Sequence, residues 1–261
     1  MTEYRIREFP KSRIATVDVC AIGLQKHHIA AMIEIDISGS REKIKKYRDK
    51  THRISFTAWL IKAISHTVKD YEHAAAYLKG KRKVMIFDDI NVSMVVEKNI
   101  NGQKVPIPLI IEKANERSIE SITRQISDAR DKVLTDKDIV LHNQSSQLER
   151  IYYTLPGFIR RFFWKHLLRN PRLAFNKMGN VAVTSIGMMG NVKGWFIPTS
   201  VHPICFGISS ISKKPVVVDD KIEIREILNM TILLDHDVID GAPMARFIND
   251  LSYNIEKGIE L

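Results

Sequence analysis

The junction between an apolar strand and an amphipathic helix, residues 234–242, most strongly constrains what this chain can fold into. It contains His236, three aspartates and Gly241. Residues 229–234 before it are apolar enough to form a buried strand. After it, apolar residues recur at helical spacing: Ala245, Ile248, Leu251, Ile255 and Ile259. A histidine at such a junction can face a cleft, where imidazole is the side chain best suited to move a proton near neutral pH.

Two interpretations of this junction stay open on residue type alone. In the structural one, Asp240 is the N-cap of the last helix, Pro243 lies in its first turn, and His236 is an ordinary residue at the end of a strand. In the functional one, His236 is a general base and Asp240 organises the turn that orients it. The two interpretations are compatible for Asp240, because a capping residue can also hold catalytic geometry.

Composition and charge limit the class of protein. With 261 residues, 44% of them apolar, the chain can bury a core. A net charge of +10 suits a membrane surface, nucleic acid or an anionic ligand, and equally a solvated basic surface. The absence of zinc-ligand spacing, of a phosphate-binding glycine loop and of nucleic-acid motifs predicts neither a metal nor a nucleic-acid partner. No signal peptide or membrane-spanning run is visible, and Cys20 and Cys205 are expected as free thiols, which predicts a cytoplasmic protein.

The alternation of patterns predicts one α+β domain of two layers over residues 1–261. Strands are predicted at residues 29–37, 84–87, 90–96, 105–111, 180–185, 204–209 and 216–218. Helices are predicted at residues 38–49, 55–71 and 118–134 and after residue 241. Asn101 and Gly102 predict a turn, and Asp219 and Asp220 predict the turn of a hairpin over residues 216–224.

One stretch breaks this pattern because it is both aromatic and basic. Its apolar members are Phe158, Phe162, Phe163, Trp164, Leu167 and Leu168, and its basic ones are Arg160, Arg161, Lys165, Arg169, Arg172 and Lys177. Residues 151–178 could therefore lie on a membrane surface or cap an apolar pocket. They could equally dock on the core or on a neighbouring subunit with the arginines in water.

A family resemblance rests on several segments taken in order. The pattern of His236, Asp240 and Gly241 resembles the catalytic domain of the 2-oxoacid dehydrogenase dihydrolipoyl acyltransferases, and is similar to chloramphenicol acetyltransferase, which has the same fold. Residues 181–190 resemble the family's strand that ends in Ser-Asn-Leu-Gly, and residues 91–111 resemble its segment with an Asn-Gly turn and Val-Pro-Ile-Pro. The likeness covers most of the chain except an atypical aromatic and basic insertion at about 135–178.

The resemblance implies a chloramphenicol acetyltransferase-like mixed sheet flanked by helices, in a homotrimer with active sites between subunits and possibly in a larger cage of trimers. It implies that His236 is the general base and that the Thr184 hydroxyl, where the family usually has serine, bonds the tetrahedral oxyanion. Ser185 is the adjacent alternative. Asp240, followed by Gly241, would orient the loop. Arg13 stands near the position of an arginine that pairs with the equivalent aspartate, although a surface charge explains Arg13 equally well.

The resemblance also implies acyl-coenzyme A as cosubstrate, for transfer to a thiol, hydroxyl or amine. The acceptor would be a lipoyl group on a separate protein, a small molecule or a lipid, because the chain begins at the core and no covalently attached lipoyl group is expected. Asp237 departs from the family, which usually has arginine there. That departure and Thr184 motivate an alternative, a catalytically inactive scaffold. A further alternative is peripheral membrane contact through residues 151–178.

Overall fold

The computed structural model of the protein describes residues 2–7, 12–50, 54–100, 103–131, 151–187 and 193–261. Within these ranges a six-stranded mixed sheet has the order β1-β8-β7-β6-β4-β5, and β2 and β3 form a separate hairpin. The strands are β1 (His28–Asp36), β2 (Tyr77–Lys79), β3 (Lys83–Met85), β4 (Val92–Ile100), β5 (Gln103–Ile111), β6 (Val181–Ser185), β7 (Ile204–Val218) and β8 (Lys221–Asp235). The described part of the chain therefore has the predicted mixed sheet.

Helices flank this sheet, as predicted for the α+β class. They are α1 (Ser12–Gly23), α2 (Ser38–Lys50), α3 (Phe56–Asp70), α4 (Ile119–Asp131), α5 (Gly157–Arg169), α6 (Pro171–Met178) and α7 (Gly241–Lys257), with a 3-10 helix at Glu72–Ala75. Ser55 begins α3 as a true N-cap, because its side chain accepts a hydrogen bond from the amide of Ala58. Among the described helices, none combines the length and the apolar character needed to span a bilayer.

The long hairpin of β7 and β8 is the centre of the sheet. Asp219 and Asp220 both have positive φ, 48° and 59°, as a two-residue turn of the primed type requires. The turn prediction is confirmed, but the two short strands predicted at 204–209 and 216–218 are wrong in extent. They form one strand that continues through an irregularity in register between Ile208 and Ile211.

The main core lies on one face of the sheet, and alternate residues of β8 point into it. Leu228, Met230, Ile232 and Leu234 are buried there. They pack with side chains of α2, α3, α4 and α7, among which Trp59 and Phe247 are fully buried. Full burial of one such side chain contributes about 1.5–3 kcal/mol. The core therefore holds the end of β8, and with it the start of the 234–242 junction, in a fixed position.

A second, smaller cluster joins α1, α6 and β2 through Ile22, Tyr77 and Phe175. No element was predicted over α1, because few of its positions contribute apolar contacts and its periodic signal is weak. The predicted strand at 84–87 pairs with β2 instead of joining the main sheet. The predicted turn at Asn101 and Gly102 and the end of the predicted helix 118–134 lie outside the described residues.

Candidate active site

His236 lies directly after β8, in the loop that leads to α7. Its backbone amide donates a hydrogen bond to the carbonyl of His27 at 3.0 Å, and its side chain is exposed. The imidazole is therefore accessible from solvent in the single chain. Tight packing around this ring would have excluded a catalytic role. The described residues do not pack tightly around it, because the side chain is exposed.

The loop around His236 is held firmly on both sides of the histidine. Before it, Asp235 is 1% exposed as a whole residue, and its carboxylate accepts a hydrogen bond from Lys26 Nζ at 2.5 Å. After it, the amides of Val238 and Ile239 donate to the Asp235 carbonyl at 3.1 and 3.3 Å, and both side chains are buried. An exposed histidine between anchored neighbours has a defined backbone position, which a positioned base requires.

Asp237 contacts a second residue of the segment before β1. Its Oδ1 atom lies 2.9 Å from Nδ1 of His27. The hydrogen bond to this carboxylate and its charge raise the pKa of the His27 imidazole. Neither Lys26 nor His27 was predicted as a site residue, because their partners are more than 200 positions away in sequence and only the pairing of His28 with Asp235 brings them together.

Asp240 is the N-cap residue of α7, with φ −87° and ψ 167°, as the structural interpretation predicted. Its side chain makes no capping hydrogen bond and is exposed, so the carboxylate remains available to other groups. Gly241 is the first residue of α7. No atom lies within 4 Å of the Cβ that another residue would add there. Arg13 lies on α1 and is exposed.

Thr184 and Ser185 end β6 and are both half-buried. Val181 and Val183 face the main core, so the alternation of the strand turns Thr184 toward the opposite face of the sheet. Thr184 pairs with Gly207 on β7, which pairs in turn with Thr231 on β8.

Buried polar atoms also lie on this second face. The hydroxyl of Thr231 and the side-chain oxygens of Ser209 and Asn229 are buried, and none has a hydrogen-bond partner in the described part of the chain. An unpaired buried polar group is costly, so each one calls for a specific explanation, such as a functional role or a bound water. Sequence reasoning missed them, because an isolated serine, asparagine or threonine in an apolar strand carries no pattern.

One chain does not bring Thr184 close to His236. Thr184 lies level with Thr231, five residues before His236 and two strands away. At standard strand dimensions this is about 17 Å along β8 and about 10 Å across the sheet, or roughly 19 Å in total. A hydroxyl must approach to about 3 Å of an oxyanion to stabilise it. These two residues therefore cannot serve one reaction centre within a single copy.

Two further histidines lie behind the loop. His28 Nε2 is 2.9 Å from the carbonyl oxygen of His202, and His202 Nε2 is 2.9 Å from that of Met178. Desolvation lowers the pKa of His28, and it lowers that of His202 to about 4. Both rings are therefore neutral near pH 7 and act as packed hydrogen-bonding groups. Across the described ranges, no group of three or more His, Cys, Asp or Glu side chains is arranged to hold a metal ion.

A cavity of about 340 Å³ lies beside the same loop. It is lined by Asp70, Tyr71, Glu72, His73, Ala74, Val238, Ile239, Asp240 and Pro243. His236 is not part of its lining. In the single chain this cavity is therefore separate from the exposed imidazole, and only Asp240 of the predicted site residues borders it.

Comparison with known proteins gives one consistent family. The sequence model of the 2-oxoacid dehydrogenases acyltransferase (catalytic domain) family matches residues 25–140 and 166–261. The chain is 25% identical over 237 residues to the lipoamide acyltransferase component of the branched-chain alpha-keto acid dehydrogenase complex of Bacillus subtilis, a match that covers 88% of this chain and 46% of that protein. The chain spans about half the length of the curated relatives it matches.

Solved structures share its fold. The probable dihydrolipoamide acetyltransferase from Listeria monocytogenes superposes with a TM-score of 0.68 at 21% identity, covering 98% of this chain and 95% of that one. The cubic core of a pyruvate dehydrogenase multienzyme complex superposes with a TM-score of 0.67 at 16% identity, covering 97% and 92%. At these identities the structural likeness is a statement about the fold alone.

Proposed function

The chain belongs to the 2-oxoacid dehydrogenases acyltransferase (catalytic domain) family, and from that premise we propose that it transfers an acyl group between coenzyme A and a second nucleophile at a site shared by two copies. The observation that carries the proposal is the position of His236, exposed on an anchored loop, roughly 19 Å from Thr184 along and across the sheet. A second copy can supply the missing partner to each of these residues. The active centre then lies between subunits.

The proposed chemistry needs one base and one hydrogen-bond donor. The His236 imidazole removes the proton from the incoming thiol or hydroxyl as the sulfur or oxygen attacks the thioester carbonyl. The Thr184 hydroxyl of the neighbouring copy donates to the oxyanion of the tetrahedral intermediate, a contribution of roughly 3 kcal/mol. When the intermediate collapses, the old carbon–sulfur bond breaks and the imidazolium returns its proton to the departing thiolate. Asp240 is proposed to organise the loop, with Ser185 as an alternative donor and Arg13 as a supporting charge.

A closed homotrimer, or a cage of trimers, is the proposed assembly. One solved structure supports this part of the proposal. It is the cubic core of a pyruvate dehydrogenase multienzyme complex, and it superposes over most of both chains. A site made by the His236 loop of one copy and β6 of the next is heterologous, so a ring that closes satisfies every copy equally.

Acyl-coenzyme A is the proposed cosubstrate, and its acceptor is proposed to be a lipoyl group on a separate protein, a small molecule or a lipid. Coenzyme A is an anion, and the net charge of +10 favours its approach. The lipoyl acceptor is supported by the relatives, which are lipoamide acyltransferase and dihydrolipoyllysine-residue acetyltransferase components. The buried hydroxyl of Thr231, level with Thr184, is a candidate to bond a polar group of the bound thioester.

The direct test incubates the protein with acetyl-coenzyme A and dihydrolipoamide and quantifies coenzyme A and acetylated acceptor by liquid chromatography and mass spectrometry. Total thiol is not a useful signal, because transfer to a thiol acceptor releases one thiol for each one consumed. His236→Ala should lower the turnover number by about 100- to 10,000-fold, the usual contribution of a general base. Thr184→Val should lower it by about 100- to 1,000-fold, while Thr184→Ser should keep most activity.

The matched control is His166→Ala, which removes an exposed histidine from α5 and should leave turnover unchanged. If His236→Ala matches the wild-type rate, the catalytic proposal is wrong. A wild-type protein that forms the large assembly but neither binds coenzyme A saturably nor turns over would favour the inactive scaffold instead.

A further inference from the structure

Within the described ranges, helix α5 contacts the rest of the protein through one face. Arg160 Nε donates to Asp18 Oδ2 on α1 at 2.6 Å, and Trp164 Nε1 donates to the hydroxyl of Tyr152 at 3.0 Å. Burial alone would raise the pKa of Asp18, but the hydrogen bonds from Arg160 and Tyr152 outweigh it and lower that pKa. Leu167 also packs against the second core cluster. On the inward face of α5, Arg160 and Trp164 therefore have hydrogen-bond partners and Leu167 is packed.

The outward face of α5 is apolar and unusually exposed. Phe158, Phe162 and Phe163 are 68%, 66% and 55% exposed. Phe158 and Phe162 are one helical turn apart and so form one stripe on the helix surface. A single exposed apolar residue is ordinary on a protein surface. Three exposed phenylalanines on one helix leave a larger apolar area unburied, and such areas mark interaction sites. We therefore expect another surface to cover this face of α5.

Cations flank the phenylalanines, and no carboxylate lies near them in sequence. Arg161, Lys165 and Arg169 follow one another at spacing four and are exposed, and none takes part in an ion pair in the described ranges. Residues 151–178 contain no aspartate or glutamate at all. The covering surface must therefore be both anionic and apolar.

We propose that the outward face of α5 binds an anionic lipid bilayer, with the phenylalanines in the boundary between headgroups and acyl chains and the cations against lipid phosphates. Phenylalanine has no hydrogen-bonding group to offer a polar partner, while arginine and lysine reach headgroups with extended side chains. A second copy that packed this face against its own is a poorer occupant, because residues 151–178 would bring the same cations and no carboxylate. Residues 141–165, which include these phenylalanines, lie between the two segments matched by the family model, so the sequence pattern shared by the family does not account for them.

Vesicle co-sedimentation tests the proposal with the full-length chain. Binding is measured to vesicles of phosphatidylcholine with 30% phosphatidylglycerol and to pure phosphatidylcholine, at about 50 mM and 500 mM salt, a range over which screening becomes severe. Wild type should bind the anionic vesicles at low salt. Arg161→Glu with Lys165→Glu should weaken binding by at least about 25-fold, since each lost cation counts for about fivefold. Phe158→Ser with Phe162→Ser should weaken it by at least about tenfold.

Controls of similar exposure and equal change in charge are available elsewhere on the protein. Ile222→Ser with Ile224→Ser removes two side chains that are 78% and 77% exposed on the β7–β8 hairpin. Lys81→Glu with Lys83→Glu makes the same change in net charge at the β2–β3 hairpin. Both controls, and His236→Ala, should bind vesicles within about twofold of wild type, so this result is independent of the catalytic proposal.

Two outcomes would overturn the inference. If both charge-reversal variants lose binding equally, attraction is general to the surface and α5 has no special role. If the Phe158 and Phe162 variant keeps vesicle binding but lowers the molar mass in light scattering, the face joins copies of the chain instead. Circular dichroism confirms that each variant is folded before either comparison is made.

Discussion

Mixing two inactive variants tests whether His236 and Thr184 of different copies form one site. One variant is His236→Ala and the other is Thr184→Val, and each alone should be nearly inactive. If the site lies between copies, a mixed assembly contains interfaces where an intact His236 meets an intact Thr184. Activity should then return on mixing, although neither protein contributes a complete set of residues.

The size of the recovery follows from the geometry. The separation of roughly 19 Å within a chain rules out a complete site in one copy. In a cyclic assembly of equal amounts of both variants, a given interface has the intact histidine with probability one half and the intact threonine with probability one half. About one quarter of the interfaces are therefore intact, whatever the number of copies in the ring, and about one quarter of wild-type activity is expected.

The assay uses proteins co-expressed or refolded together, so that copies redistribute, and measures acetyl transfer at saturating acetyl-coenzyme A. A second mixture, wild type with the double variant, is an internal control. A shared site predicts about one quarter of wild-type activity in that mixture, whereas a site within each chain predicts about one half. No recovery in the first mixture together with one half in the second would refute the shared site.

Three further outcomes concern stability. Lys26→Met leaves the buried Asp235 carboxylate without its cation, so the free energy of unfolding should fall by about 3 kcal/mol in urea at fixed protein concentration, and a loss under about 1 kcal/mol would contradict a buried pair. Gly179→Ala puts a Cβ 2.3 Å from the Asn91 carbonyl oxygen at φ +73° and should cost at least about 2 kcal/mol in thermal melting. Desolvation lowers the pKa of His202 from 6.5 to about 4, so stability is fully present above about pH 6.5 and should fall by about 3 kcal/mol toward pH 4, a slope that His202→Gln should lack in unfolding measured against pH.

Local pattern was enough to predict much of the fold. The apolar positions of α3 recur on one side of a helix, and Ser55 is a capping residue, so the predicted helix at 55–71 agrees with Phe56–Asp70. The strand at 180–185 and the hairpin turn at Asp219 and Asp220 are likewise signalled by their own residues. The full length of β7 was not predicted, because Ser209 and Ser210 at its irregular step interrupt the apolar pattern while the strand continues.

Local pattern also predicted where one candidate site residue lies, but not what surrounds it. The strand, the histidine and the following helix are neighbours in sequence, so the position of His236 at their junction could be predicted and is confirmed. What holds that junction could not be predicted, because Lys26 meets Asp235 only when β1 pairs with β8. The buried oxygens of Ser209 and Thr231 likewise depend on the alignment of three strands.

The charge of the loop illustrates why a single substitution in a motif is a weak guide to its electrostatics. Asp237, where the family resemblance leads one to expect arginine, adds a carboxylate to a loop that already contains Asp235 and Asp240. Yet Lys26 neutralises Asp235, and His27, whose pKa Asp237 itself raises, offsets Asp237 whenever it is protonated. Asp240 alone of the three makes no ion pair in the described structure. The edge that the proposed anionic acyl carrier would meet is therefore less negative than the loop sequence implies, and its charge depends on pH through a residue that precedes β1.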